Sequence, residues 1–179
     1  MKKTILLLAF TTSSLIFSQS ENPSSERKND IIVNPISLVL GVGNISYERI
    51  INENSGVGII STFVIDNYVI ENNAYQFAPY YNYYFGKKTA SGFFIGGYAS
   101  ISGYKDKIYE YKIVGLEYIE ESKMMNYSKI GLGFKFGGKW VLKNNLIFEA
   151  STGIGRNFVT KEDETKVNTT GMLGIGYRF

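Results

Sequence analysis

From Asp30 onward, apolar side chains recur at every second residue, and no later apolar run is long enough to cross a bilayer as a helix. In Tyr127 to Trp140, Ile130, Leu132, Phe134, Phe136 and Trp140 share one face. Lys129, Gly131, Gly133, Lys135, Gly137 and Lys139 share the other. Leu146 to Phe158 repeats the pattern, setting Leu146, Phe148, Ala150 and Ile154 against Glu149, Ser151, Gly153, Gly155 and Asn157. Phe93 to Tyr104 sets Phe93, Ile95, Ala99 and Ile101 against Gly96, Tyr98, Ser100 and Ser102. The last segment sets Val167, Leu173, Ile175, Tyr177 and Phe179 against Asn168, Thr170, Gly174, Gly176 and Arg178. A period of two belongs to strands, so any membrane crossing must use them, and strands cross a membrane only in a closed barrel.

The residue mix agrees. Fourteen Tyr and 12 Phe favour pleated strands, and 19 Gly suit turns or a crowded barrel interior. The chain has no Cys and no His, which excludes disulfides, thiolate metal sites, thiol catalysis and every mechanism with a histidine base. Ser, Asp and Glu are present, but no triad can be assembled from them, so no catalytic, cofactor-binding or metal-ligating residue is assigned. The net charge is +3, and removing residues 1–20 leaves 17 basic against 16 acidic side chains. So balanced a chain carries no nucleic-acid footprint.

Residues 1–20 have the form of a cleaved export signal: Lys2 and Lys3 lead an apolar stretch from Ile5, and small Ser18 and Ser20 stand at the cleavage positions. Residues 21–30 (ENPSSERKND) are polar and read as a flexible periplasmic lead-in. Residues 31–179 form the barrel domain. Strands are expected near 31–40, 44–51, 57–65, 75–85, 92–104, 126–140, 146–159 and 166–179. The first two require a fold-back at Gly41-Val42-Gly43-Asn44; a single long strand over 31–51 would make seven instead. Short connections at 52–56, 86–91 and 141–145 alternate with generally longer ones at 66–74, 105–125 and 160–165, as periplasmic turns and external loops do. The fold class is therefore all-β, an antiparallel eight-stranded up-and-down transmembrane barrel. An even count places both ends of the barrel chain on the periplasmic side.

Which face meets lipid is decided by residue size. The polar faces of the last three strands carry seven glycines, which suit a narrow lumen and have no advantage on an open surface. Those faces then bring charge inside, and Glu48 and Glu149 are expected to pair with Lys129, Lys135, Lys139 and Arg178. For Lys139 and Arg178 a place at the watery rim is an equal alternative. Tyr83, Tyr84 and Phe85, Trp140, and Tyr177 with Phe179 all fall beside a short turn or the C-terminus. An interfacial girdle at the periplasmic headgroup level requires that placement, with Tyr83, Phe85, Trp140 and Tyr177 as its members.

The final TTGMLGIGYRF resembles the C-terminal insertion signal of bacterial outer-membrane proteins, with Phe179 terminal and Tyr177, Ile175 and Leu173 at alternate positions before it. The mature chain is similar to the small eight-stranded barrels of the OmpA-transmembrane and OmpX type. Its opening VNPISLVLGVGNISYERII is also similar to the start of uncharacterised small outer-membrane barrels. The resemblance implies residence in the Gram-negative cell outer membrane among its lipids, and insertion by the barrel-assembly machinery. It assigns no chemistry and no cofactor.

A non-enzymatic structural or surface-interaction barrel follows, with an extracellular protein or surface as partner. Residues 105–125 are the candidate contact, where Ile108, Tyr109, Tyr111, Leu116 and Tyr118 alternate in a stretch able to form an external hairpin. Shielding of the barrel top is the plainer role for it. Two alternatives stand beside this reading. One is a narrow pore, which an eight-stranded interior disfavours. The other is a soluble periplasmic barrel of lipocalin type, which would turn its apolar face inward.

Overall fold

In the computed structural model, which describes residues 27–65, 74–114, 117–158 and 166–179 and the side chains of these except 104–125 and 127, the alternating segments pair in chain order and the last closes onto the first. The strands are β1 (Asn29–Val33), β2 (Val42–Asn52), β3 (Ser55–Val64), β4 (Tyr75–Tyr84), β5 (Gly92–Val114), β6 (Glu117–Val141), β7 (Leu146–Asn157) and β8 (Val167–Arg178). All neighbours are antiparallel, giving a closed eight-stranded up-and-down barrel. Closure runs from Asp30 opposite Arg178 to Val33 opposite Ile175. Asn29 and Phe179 seal its end by exchanging main-chain hydrogen bonds of 2.9 and 2.8 Å. The export signal expected at residues 1–20 and the connections at 66–73 and 159–165 lie outside the described residues.

Residues 31–51 supply two strands, but their connection differs from the expected one. The first strand stops at Val33, and Pro35–Val39 form a short helix, α1, where a strand to residue 40 was anticipated. The local chemistry explains the stop. Asn34 caps the turn by accepting a hydrogen bond from Ser37 N at 3.1 Å, and Pro35 supplies a helical φ at the first position. Gly41, at φ 78°, then reverses the chain into β2. At the other end of β1, Asn29 and Asp30 are already strand residues, so the barrel begins two residues earlier than residue 31.

The end with both strand termini and the short turns (here the proximal end) is closed by the β4–β5 connection. Ala90, at φ 42°, is buried with Ile50, Tyr84 and Phe94, and its N–H donates to Glu53 O at 2.7 Å. At the distal end β5 and β6 continue past every other strand. The last β4 partner of β5 is Gly103, and the first β7 partner of β6 is Gly131. Phe158 N still donates to Ile130 O at 2.8 Å; beyond that, among the described residues, the two strands pair with each other alone, up to Val114 opposite Glu117.

Candidate functional site

The exposure pattern is inverted relative to a water-soluble barrel. Ile59, Phe77, Ile95, Ile101, Leu132, Phe136, Leu173 and Ile175 lie exposed on the outer wall, and Phe134 is 72% exposed. Asp30, Glu48, Lys135, Lys139, Glu149 and Arg178 are buried inside. A soluble barrel places these classes the other way round, which overturns the lipocalin-type alternative. Apolar outer wall and polar lumen define a barrel that crosses a membrane. At about 3.3 Å per residue and a tilt of about 40°, the 12 residues of β8 rise about 30 Å, enough for an apolar band of about 25 Å. Described outer-wall charges such as Arg49 and Arg156 fall near strand ends.

Inside, the proximal half holds a compensated cluster of charge. Lys135 Nζ lies 2.9 Å from Glu149 Oε1, with both side chains 0% exposed. Ser151 Oγ also donates to that oxygen, at 2.8 Å. Lys139 Nζ bridges Glu48 Oε1 at 2.9 Å and Asp30 Oδ2 at 3.1 Å. Arg178 forks onto Asp30, with Nε to Oδ1 at 2.7 Å and Nη2 to Oδ2 at 2.9 Å. It also donates to Thr89 O and Ala90 O, which ties the β4–β5 connection across the mouth. Glu48 accepts from Tyr84 at 2.7 Å, from Tyr80 at 3.0 Å and from Asn82 at 3.2 Å. Three acids thus face three bases, each held by neighbours from several strands. That satisfies the rule that charge taken out of water must be paired and hydrogen-bonded.

In the distal half, where Lys129 is half-buried, the described hydrogen bonds join neutral side chains. Tyr98 donates to Asn168 Oδ1 at 2.9 Å, and Asn168 donates to Asn157 at 3.0 Å and to Ser100. Between the halves lies an apolar layer of Ile60, Ala78, Tyr80 and Tyr98. The Tyr98 ring lies against the β6–β7 wall where Gly133 and Gly153 stand, and a Cβ on either glycine would fall within 2.9 Å of the ring. Glycine there makes room for the tyrosine.

Of the charged residues singled out from sequence, the structure brings together Lys135 with Glu149, and Glu48 with Lys139. Arg178 meets Asp30, which the sequence places at the end of the polar lead-in and the structure places in β1. Both Lys139 and Arg178 lie inside rather than at a watery rim. Lys129 is half-buried toward the distal end of β6, apart from the proximal cluster. Sequence reasoning missed Asp30, Tyr80, Asn82 and Tyr84; strand parity would have placed the last three inside. Tyr84, which stands in sequence between the interfacial aromatics Tyr83 and Phe85, is fully buried against Glu48.

The remaining aromatics of that group are exposed on the outer wall at the proximal end. Tyr83 and Phe85 meet edge to face at 5.3 Å, and Phe93 and Trp140 at 6.4 Å. Tyr177 receives a 2.8 Å hydrogen bond from Arg27. Leu173, Ile175, Tyr177 and Phe179 share the outer face of β8. In the extended hairpin, Ile108, Tyr109 and Tyr111 belong to β5 and Tyr118 to β6, with Ile113 paired with Tyr118. Leu116 lies outside the described residues.

No group of His, Cys, Asp and Glu suited to a metal ion occurs among the described residues. A family model described as a protein of unknown function (DUF3575) matches residues 5–172. No curated protein matches the sequence. Among solved structures, the N-terminal β-barrel domain of Pseudomonas aeruginosa OprF is 15% identical, with a TM-score of 0.44, covering 86% of this chain and 98% of that one. The Yersinia pestis outer membrane protein Ail, in a phospholipid bilayer nanodisc, is 15% identical with a TM-score of 0.43, covering 86% of this chain and 100% of its own. The assignment of inside and outside rests on this barrel's own geometry.

Proposed function

The chain belongs to the DUF3575 family of proteins of unknown function, and from that premise we propose that it is a non-enzymatic barrel of the cell outer membrane whose long β5–β6 hairpin is a contact surface for an extracellular protein. The observation that carries this reading is the hairpin's isolation. Among the described residues, 104–114 of β5 and the residues of β6 before Ile130 have no strand paired on their outer edges. At about 3.3 Å per residue, the β5 extension alone is about 36 Å of strand. A bare strand edge offers unpaired N–H and C=O groups, to which another chain can add as a further strand. Tyr109, Tyr111 and Tyr118 fall within this hairpin, and tyrosine is a residue type that protein interfaces favour.

Export of the chain, removal of residues 1–20 and delivery by the barrel-assembly machinery belong to the same proposal, with Leu173, Ile175, Tyr177 and Phe179 as the insertion signal. Even strand parity then puts the proximal end in the periplasm and the hairpin outside the cell. An enzymatic role lacks a histidine or cysteine anywhere in the chain. A pore is the lesser reading, because Tyr80, Tyr84 and the paired charges fill the proximal lumen.

The test replaces residues 105–125 by an Asn-Gly turn and follows two properties. Heat-modifiable gel migration reports barrel folding, and attachment of cells to immobilised matrix and surface proteins reports contact. Folding is expected to survive, and attachment to fall at least about tenfold. A folded variant with unchanged attachment to every surface refutes the contact role.

A further inference from the structure

The barrel wall is incomplete on one side. Because β1 ends at Val33, opposite Ile175, no strand among the described residues lies beside residues 167–174 of β8 on that flank. The next strand round, β2, forms no ladder with β8. Gly171 precedes Phe179 by eight residues, so it stands about 20 Å above the proximal interface, at about 3.3 Å per residue and a tilt of about 40°. That height falls in the distal half of the hydrocarbon band, where a bare carbonyl is costly. The chain covers two such carbonyls with side chains. Asn44 Nδ2 donates to Gly171 O at 3.0 Å, and Gln76 Nε2, from β4 across the lumen, donates to Thr169 O at 3.2 Å. Two side-chain amides stand where a strand would have made a continuous ladder.

Two further features converge on this notch. The helix α1 lies against β2 and β8, yet Ile36, Leu38 and Val39 on it and Leu40 at its C-terminal cap are exposed. Behind the notch is a cavity of about 280 Å³, lined chiefly by Val42, Thr62, Val64, Tyr75, Gln76 and Ser102. Gln76 belongs to both, since it lines the cavity and its amide latches Thr169; Val42 is the first residue of β2, beside the gap. Buried nearby, the Thr170 hydroxyl oxygen and Asn44 Oδ1 have no hydrogen-bond partner among the described residues.

We propose that the notch between β8 and β2 is a lateral opening through which one acyl chain of an outer-leaflet lipid passes from the bilayer into the distal cavity. The occupant follows from continuity, because the notch opens directly onto the lipid-facing wall. At about 280 Å³ the space falls just below ordinary small-molecule pockets of roughly 300–1,000 Å³, which suits the end of one chain rather than a head group. The valines give it apolar walls. The side-chain latches are individually weak, so they can open and re-form without breaking a strand ladder.

The test places the full chain in bilayer nanodiscs containing a phosphatidylglycerol with a diazirine at its chain terminus, irradiates them and maps the labelled residues. Labelling is expected at the inward residues Thr62, Val64 and Ser102 as well as on the outer wall, and is expected to fall at least about tenfold in Thr62→Trp and Ser102→Trp, which fill the cavity. Heat-modifiable migration identifies which variants fold, and the wild-type map decides the matter if neither does. Labelling confined to outward residues such as Phe77 and Ile101 overturns the proposal. So does inward labelling that persists in a folded Trp variant. Inward labelling by a dissolved diazirine fatty acid but not by the bilayer lipid places access at the open distal end and overturns the lateral route.

Discussion

Replacing Lys135 by Met removes one charge from the lumen while keeping most of the side chain's bulk. Among the described residues, its partner Glu149 would keep the Ser151 hydroxyl alone on Oε1, and Oε2 already has no hydrogen-bond partner. Both members of the pair are 0% exposed, so solvent offers no screening. Breaking such a pair typically costs about 3–5 kcal/mol, or roughly 10²–10⁴ in the unfolding equilibrium. Lys135 also sits 4.3 Å from the Tyr80 ring centroid and 4.9 Å from that of Phe94, which adds to the loss. Removing both charges behaves differently. In Lys135→Met with Glu149→Leu neither ion remains to be desolvated, and stability is expected within about 1–2 kcal/mol of wild type. The assay is reversible urea unfolding in lipid vesicles, followed by the fluorescence of the single Trp140 on the outer wall. A double-mutant cycle then isolates the pair. A Lys135→Met loss below about 1 kcal/mol, or a double variant no better than the single, would refute a dry, fully paired lumen.

Two further outcomes bear on the barrel as a whole. Phe134→Arg on the outer wall should cost about 2–4 kcal/mol in the same unfolding assay if that position meets the middle of the bilayer, and a neutral result would deny lipid contact there. In planar bilayers the wild-type protein is expected to give no steady current, whereas Arg178→Ala, which frees Asp30 and the Thr89 and Ala90 carbonyls, should introduce brief conducting events. A steady wild-type conductance would favour the pore.

Much of the architecture could be read along the chain because strand parity is a local property. Once Ile130, Phe134 and Phe136 are seen to alternate with Lys135 and Lys139, every side chain on that strand is assigned to lipid or lumen. The structure agrees at each of these positions. Local chemistry also carries the first connection, since Asn34-Pro35 is a helix start and Gly41 a stop. The partners inside the lumen were less accessible. Asp30 is 148 residues from Arg178 and 109 from Lys139, and in sequence it reads as the tail of a polar leader. Only barrel closure, which lays β1 beside β8, makes it the hub of the proximal cluster.

The sequence by itself determined the period of two, the parity of each strand and, through its glycines and charges, which face had to turn inward. Those are consequences of bonding along one strand, where neighbouring side chains must point to opposite sides. Register, closure and reach belong to the tertiary structure. How far β1 climbs depends on where its helix start falls relative to β2 and β8. Whether residues 105–125 make a loop or a continued hairpin depends on β5 and β6 finding each other past the end of the wall. The notch beside β8, its amide latches and the bare hairpin edges all arise from strands of unequal length brought side by side. No single strand carries that information, because it is a difference between neighbours that meet only when the barrel closes.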